Sequence, residues 1–369
     1  MSSPADPSTR EELLQRRLTR ARVALGALGL FVAVCVIGVG ATIWYWVSYL
    51  RSPSDTPFTR GPYLVRVSDS EAELRWSTRG SKPVKLTALD PEGESLAVAG
   101  GVVRGLKPGN VYAWVASVEG TAFAGGSFTT PPVARDRPVR FAVLGDYGSG
   151  DDNEWAVGRL LAAQRPDFAV TAGDNSYLVA AEVLLDRNIF RPLGELMRSA
   201  PMYVCLGDHD LFFPGPGALN KAFDLPEGGR FTVDHGHVQI VVLGDEPNDP
   251  EAIEFARTQL AVSGPIVRFV ACHRPLQIGD AILPVIRESG ATVFSGHLHR
   301  YERRTVEGVQ TFTVGTSGMG FGSLEHTQET PGSDISLLDI GALMVDVRPD
   351  GVRYTFLDKL GRVLDHVVI

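Results

Sequence analysis

The chain has 369 residues, 44% of them hydrophobic, with 43 acidic and 35 basic side chains for a net charge of −8. That length supports one large domain or two moderate ones, and that charge argues against a basic nucleic-acid binder, so no nucleic-acid partner is expected. Three cysteines, none in a CxxC pair, exclude a disulfide-built scaffold and a thiolate zinc site.

The first segment, residues 1–22, is polar and reads as a cytoplasmic tail. From Val23 to Leu50 no charged residue occurs. At about 1.5 Å per residue, 28 helical residues exceed the ~30 Å hydrocarbon core, which predicts a transmembrane signal anchor. Trp44, Tyr45, Trp46 and Tyr49 sit at its far end, where interfacial aromatics belong. Arg16, Arg17, Arg20 and Arg22 precede it, so the positive-inside bias keeps the N-terminus cytoplasmic and exports the rest. The exported part carries 30 basic and 40 acidic side chains. A cleaved signal peptide would have a much shorter apolar run. Residues 51–61, with Pro53 and Pro57, read as a linker.

Residues 62–132 show period-two patterning. Leu74 and Trp76 share one face of a strand, Val111–Val118 forms another β-rich run, and turn signals such as Lys107-Pro108-Gly109 separate the runs. The stretch Leu106–Tyr112 resembles the tyrosine corner of fibronectin type III domains, in which a Tyr hydroxyl bonds back to upstream backbone. A small all-β sandwich with Trp76 and Trp114 in its core is expected.

Beyond Pro138, short apolar runs alternate with helical stretches, the grammar of an α/β layer fold over residues 138–369. Strands are expected at Arg140–Gly145, Phe168–Ala172, Met202–Leu206, Val267–Ala271 and Thr292–Ser295. Helices are expected within Trp155–Ala163, Ala180–Met197, Ile253–Ala261 and Ala281–Arg287, with β-hairpins from Ala342 to Ile369.

Each of the five strand runs ends in metal-ligand residue types: Asp146, Asp174 with Tyr177, Asp208-His209, His273, and His297 with His299. In an open α/β sheet, side chains just past strand ends converge on one edge. Adjacent glycines are expected to let the backbone turn and aim them inward. Carboxylates and imidazoles without thiolate suit zinc, iron or manganese, and seven or eight ligands exceed the needs of one ion. Two ions sharing a carboxylate would clamp the attacking and leaving oxygens of an in-line displacement. Arg274, next to His273, could reach a phosphate or simply set the Arg-Pro turn. His235 and His237 alternate on a strand beside Ile240–Leu243 and read as structural. The glycine-rich segment Gly315–Gly322 lacks a Walker pattern and reads as a loop near the site.

The motifs Asp146-x-Gly148, Gly173-Asp174-x-x-Tyr177, Gly207-Asp208-His209, Val270-x-x-His273 and Gly296-His297-x-His299 resemble those of the calcineurin-like metallophosphoesterases, and among them the purple acid phosphatases. The resemblance implies a four-layer αββα sandwich of two mixed sheets, preceded by a fibronectin type III-like domain. It also implies a binuclear centre. Asp146, Tyr177 and His299 would hold Fe³⁺, Asp174 would bridge, and Asp208, His273 and His297 would hold Zn²⁺, Mn²⁺ or Fe²⁺. His209 would orient the phosphate and assist the leaving group. A metal-bound hydroxide would then hydrolyse a small phosphorylated substrate, a phosphomonoester in the simplest case. Asp208 departs from the family's Asn. Its added negative charge predicts tighter metal binding and weaker Lewis acidity. Alternatives are a phosphodiesterase or nucleotidase with the same centre, and a metal-binding surface protein catalytically weakened by Asp208.

Overall fold

The computed structural model describes residues 15–16, 25–26, 28–30, 32–42, 56–133, 137–261, 267–320 and 328–369. Much of the anchor expected over 23–50, including all four interfacial aromatics, lies outside these residues. Its described part is helical with exposed apolar side chains. Among the described residues, no helix is long and apolar enough to cross a membrane.

The chain from Ser54 onward forms one compact unit. It begins with two four-stranded sheets. One is ordered β1 (Phe58–Val67), β2 (Glu71–Thr78), β6 (Val102–Arg104), β5 (Val98–Ala99). The other is ordered β4 (Ser95–Leu96), β3 (Val84–Leu89), β7 (Val111–Val118), β8 (Thr121–Thr129). Alternation in β7 sends Tyr112, Trp114, Ala116 and Val118 into the shared core and leaves Val111 and Val115 exposed. The Tyr112 hydroxyl accepts a hydrogen bond from the Lys107 amide at 2.7 Å, the backward bond expected of the Leu106–Tyr112 stretch. Strand β1 starts inside the stretch read as linker, because Phe58 is buried in this core and Arg60 is held by Glu182 and Asp186 at 2.9 and 2.8 Å.

Two mixed sheets follow. The first is ordered β11 (Met202–Tyr203), β10 (Phe168–Thr171), β9 (Val139–Leu144), β19 (Gly341–Arg348), β20 (Gly351–Asp358), β21 (Val363–Val368). The second is ordered β12 (Phe231–His235), β13 (Val238–Gly244), β14 (Val267–Cys272), β15 (Thr292–Ser295), β17 (Val309–Val314), β16 (Tyr301–Val306), β18 (Ile335–Leu337). Strands β9, β10 and β11 run parallel, as do β13, β14, β15 and β17. The strands are apolar at successive positions because both faces are covered. In β9, Phe141 and Val143 meet Phe269 and Phe294 of the second sheet, while Ala142 and Leu144 pack with Val157 and Leu161 of helix Asp152–Gln164. On the far side, Val241, Val270 and Val293 pack against helices Pro250–Leu260 and Leu283–Ser289. The layers are therefore helix, sheet, sheet, helix. Asp151 caps the first helix by accepting from the Asn153 and Glu154 amides.

His235 is 1% exposed, rests on Phe168 at 4.9 Å between ring centroids, and among the described residues offers no hydrogen bond from either ring nitrogen. Burial first, then Arg137 and His237, hold its pKa down at about 3. An unfolded histidine titrates near 6.5, so below that pH the unfolded chain binds the extra proton. Stability from this group is full above pH ~6.5 and declines as pH falls toward about 3, by about 5 kcal/mol at the limit. His235→Leu is expected to flatten this dependence: its melting temperature should fall less than the parent's between pH 7 and pH 4.

Candidate metal centre

All five ligand-bearing strand ends open on one edge. Asp146 follows β9, Asp174 follows β10, Asp208 follows the short β11, His273 follows β14 and His297 follows β15. Three of these residues, Asp146, Asp174 and His297, occupy left-handed backbone with φ of 52°, 53° and 66°. Non-glycine residues adopt that region rarely, and the strain is tolerated where surrounding structure fixes it. The expectation that neighbouring glycines make the turns holds at Gly173, with φ 91° directly before Asp174, and not at the other strand ends. Gly207 and Gly296 have no positive φ; they allow close approach. A Cβ on Gly207 would strike the Asp174 amide and carboxylate, and one on Gly296 would strike the Asp146 carboxylate. The glycine-rich loop packs beneath the site, with the Met319 amide donating to the Asp146 carbonyl at 2.8 Å.

The candidate ligand atoms gather in two groups. In the first, the Tyr177 hydroxyl donates to Asp146 Oδ1 at 3.0 Å and lies 3.2 Å from His299 Nε2, itself 3.4 Å from Asp146 Oδ1. In the second, His273 Nε2 is 3.0 Å from Asp208 Oδ1, and His297 Nδ1 is 3.8 Å from the same oxygen. Asp174 stands between them. Its Oδ1 is 3.4 Å from His273 Nε2, and it lies close enough to Tyr177 to raise the phenol's pKa. Ligand atoms of Asp146, Asp174 and His273 lie within 4.8 Å of one another, as do those of Asp208, His273 and His297, and those of Asp174, Asp208 and His209.

Charge explains why such a cluster calls for cations. Asp146, Asp174 and His273 are 0%, 2% and 0% exposed. Burial, with Asp146 and the other carboxylates adding to it, pushes Asp174 up to about 8. Burial alone would lower His273, but its bond to Asp208 and the charges of Asp174 and Asp146 push it up to about 10. Hydrogen bonds from His273 and His297 hold Asp208 well below the usual carboxylate range. Burial and the nearby carboxylates push Tyr177 far above the ordinary phenol value. Protons thus offset an excess of buried negative charge, the task for which a multivalent cation is better suited. Oxygen and imidazole donors in two groups around a central carboxylate suit a binuclear centre.

His209 lies over Asp174. Its amide donates to Asp174 Oδ1 at 3.0 Å, its Nε2 is 4.0 Å from Asp174 Oδ2, and Nδ1 is 3.3 Å from the Leu178 carbonyl. Arg274 stands at the second group, 3.4 Å from His297 Nε2, 3.8 Å from Asp208 and 3.3 Å from Asp245.

The model of the calcineurin-like phosphoesterase family matches residues 139–301, the span holding every one of these groups. This stretch matches a calcineurin-like phosphoesterase domain. Solved structures with a similar fold include a purple acid phosphatase from yellow lupin seeds, 14% identical, covering 84% of this chain and 73% of that one at a TM-score of 0.66. PhoD is 13% identical, covering 86% and 94% at a TM-score of 0.62. No curated protein matches the sequence.

Asp210 closes the strand-end cluster Gly207-Asp208-His209-Asp210, and sequence reasoning gave it no role. Its buried carboxylate accepts from the amides of Gly207, Asn175 and Ser176 at 2.9, 3.1 and 3.2 Å, and from Asn175 Nδ2 at 2.6 Å. It ties the Asp174 loop to the Asp208 loop. The available signal was an acidic residue two places after Asp208, flanked by loops whose amides need acceptors.

Proposed function

We propose that this protein is a binuclear phosphohydrolase, an acid phosphatase for phosphomonoesters, held at the extracytoplasmic face of a membrane by residues 23–50 and presented on a fibronectin type III-like domain. The observation that carries the reading is Asp174, placed between Asp146–Tyr177–His299 and Asp208–His273–His297. In this reading the first group holds Fe³⁺ and the second holds Zn²⁺, Mn²⁺ or Fe²⁺. When bound, such a pair supplies Lewis acidity toward water and neutralises phosphoryl charge. The chain's own part is to exclude bulk water around Asp146 and Asp174 and to orient the ester. Arg274 offers guanidinium N–H donors to a phosphoryl oxygen. His209, whose Nε2 faces Asp174 Oδ2 at 4.0 Å, holds a proton at Nε2 for the departing alkoxide.

The test is elemental analysis of the purified chain, with para-nitrophenyl phosphate and its bis ester assayed on the same sample. About two metals per chain with preference for the monoester supports the reading. Preference for the bis ester favours a phosphodiesterase, bound metal with little hydrolysis of either ester favours the weakened metal-binding surface protein, and a metal-free, inactive protein overturns the reading.

Asp208→Asn removes one negative charge from the second group and supplies an amide donor. It is expected to raise kcat between about three- and tenfold, equal to roughly 0.7–1.4 kcal/mol of barrier, while the second metal is lost more readily to chelator. Unchanged turnover and metal retention would show that Arg274 already cancels the charge of Asp208.

A further inference from the structure

Leu178, Leu211, Phe212 and Phe213 are 67%, 47%, 50% and 94% exposed; Leu178 follows Tyr177, Leu211 ends the short helix Asp208–Leu211, and Phe212 and Phe213 come directly after it. Two of them, Leu178 and Phe212, stand at His209. The His209 ring stands 4.5 Å from Tyr177 and 5.1 Å from Phe212 between centroids, and its Nδ1 reaches the Leu178 carbonyl. The loop that presents Phe212 and Phe213 is held by its own turn, the Gly215 amide donating to the Phe212 carbonyl at 2.6 Å with Gly215 at φ +88°, and Pro214 and Pro216 restrict it further. A stiff loop that keeps an aromatic side chain in water beside a reactive centre forfeits burial that a soluble chain would otherwise use.

We propose that this ledge receives the alcohol portion of the substrate, and that the substrate is a phosphate ester of an apolar, hydrocarbon alcohol. This deepens the phosphohydrolase reading and rests on it. The direction of the leaving group decides the occupant. With phosphorus over Asp174 and His209 protonating the departing oxygen, the alcohol lies on the outer side of His209, where Leu178 and Phe212 stand. The P–O bond to the alcohol breaks, the His209 proton passes to that oxygen, and water forms the new P–O bond while the proton it releases goes to solvent, from which His209 is reprotonated. The guanidinium at the cluster, Arg274, is at the Asp208–His297 side, suited to the phosphoryl group and not to the alcohol.

The experiment titrates n-alkylphosphonates from methyl to octyl into the full-length chain supplied with iron and zinc, by calorimetry. Affinity is expected to rise about twofold per methylene, half the roughly fourfold of complete burial. Phe212→Ser and Phe213→Ser should each flatten that slope, and Leu360→Ser, on an exposed turn elsewhere, should not. Methylphosphonate binding without any chain-length dependence overturns the ledge and leaves the phosphohydrolase intact. A slope that persists in both Phe variants also overturns it. If no phosphonate binds and para-nitrophenyl phosphate is not cleaved, the underlying reading falls and the ledge with it.

Discussion

Replacing Asp174 by asparagine is expected to reduce bound metal from about two ions per chain to one or none, and to lower phosphate-ester hydrolysis on the order of 10³-fold. Loss of several kcal/mol of Lewis-acid stabilisation, at about 1.36 kcal/mol per decade, sets that scale. The variant should fold. Asparagine is isosteric, and its carbonyl can still accept the His209 amide that now reaches Asp174 Oδ1. The stability of the metal-free protein should move the other way. Asp174 titrates near 8 when folded, against about 3.9 when unfolded. Above pH ~4 the native chain holds the extra proton, so this group's contribution falls as pH rises toward 8. Metal-free Asp174→Asn should therefore melt above the metal-free parent at pH 8, and below the parent once both are given metal. Elemental analysis and melting with and without chelator check both arms. A variant less stable than the parent in both states would show that the carboxylate is structural.

Asp210→Ala is expected to cost about 3–5 kcal/mol of stability, because it leaves the Gly207, Asn175 and Ser176 amides buried without their acceptor. Metal affinity should fall between about 10- and 100-fold, the usual consequence of removing a group that positions ligands. Asp210→Asn should recover much of the folding stability but only part of the metal affinity, since its NH₂ faces donors. Denaturant unfolding of the metal-free chain, paired with metal titration, separates the two effects. Equal loss of metal affinity in both variants, with stability untouched, would place Asp210 among the ligands.

Much of the phosphoesterase domain was legible in the sequence because its strands are covered on both faces and so read as unbroken apolar runs ending in ligand types. Phe168–Thr171 and Thr292–Ser295 are such runs. The expected helix over Ala180–Met197 is instead three short pieces, Glu182–Leu185, Asp186–Phe190 and Gly194–Met197. Pro192 and Gly194 break the repeat while the apolar spacing remains helical. The hairpin Tyr301–Val314 escaped notice for a different reason. Arg300 and Glu302 are charged yet buried, paired with each other at 3.2 Å and with Ser336, so a strand beside His299 looks like surface. At the centre, residue types and strand-end positions revealed which groups converge. They did not reveal that three of the candidate ligands, Asp146, Asp174 and His297, adopt left-handed backbone while Gly207 and Gly296 make room, because that depends on loops distant in sequence.

The opening β-sandwich meets the rest of the unit through specific groups. Trp114 Nε1 donates to the Arg198 carbonyl at 3.1 Å, the Tyr63 hydroxyl donates to the Ala222 carbonyl at 2.9 Å, and Tyr63 and Val65 sit in the same core as Leu196 and Phe223. Trimming a recombinant version back to residue 138 would uncover that seam and leave two main-chain acceptors without their donors. Anyone preparing the catalytic half for crystallisation or assay should keep residues from Phe58 onward, since a shorter product would be a different and stickier molecule.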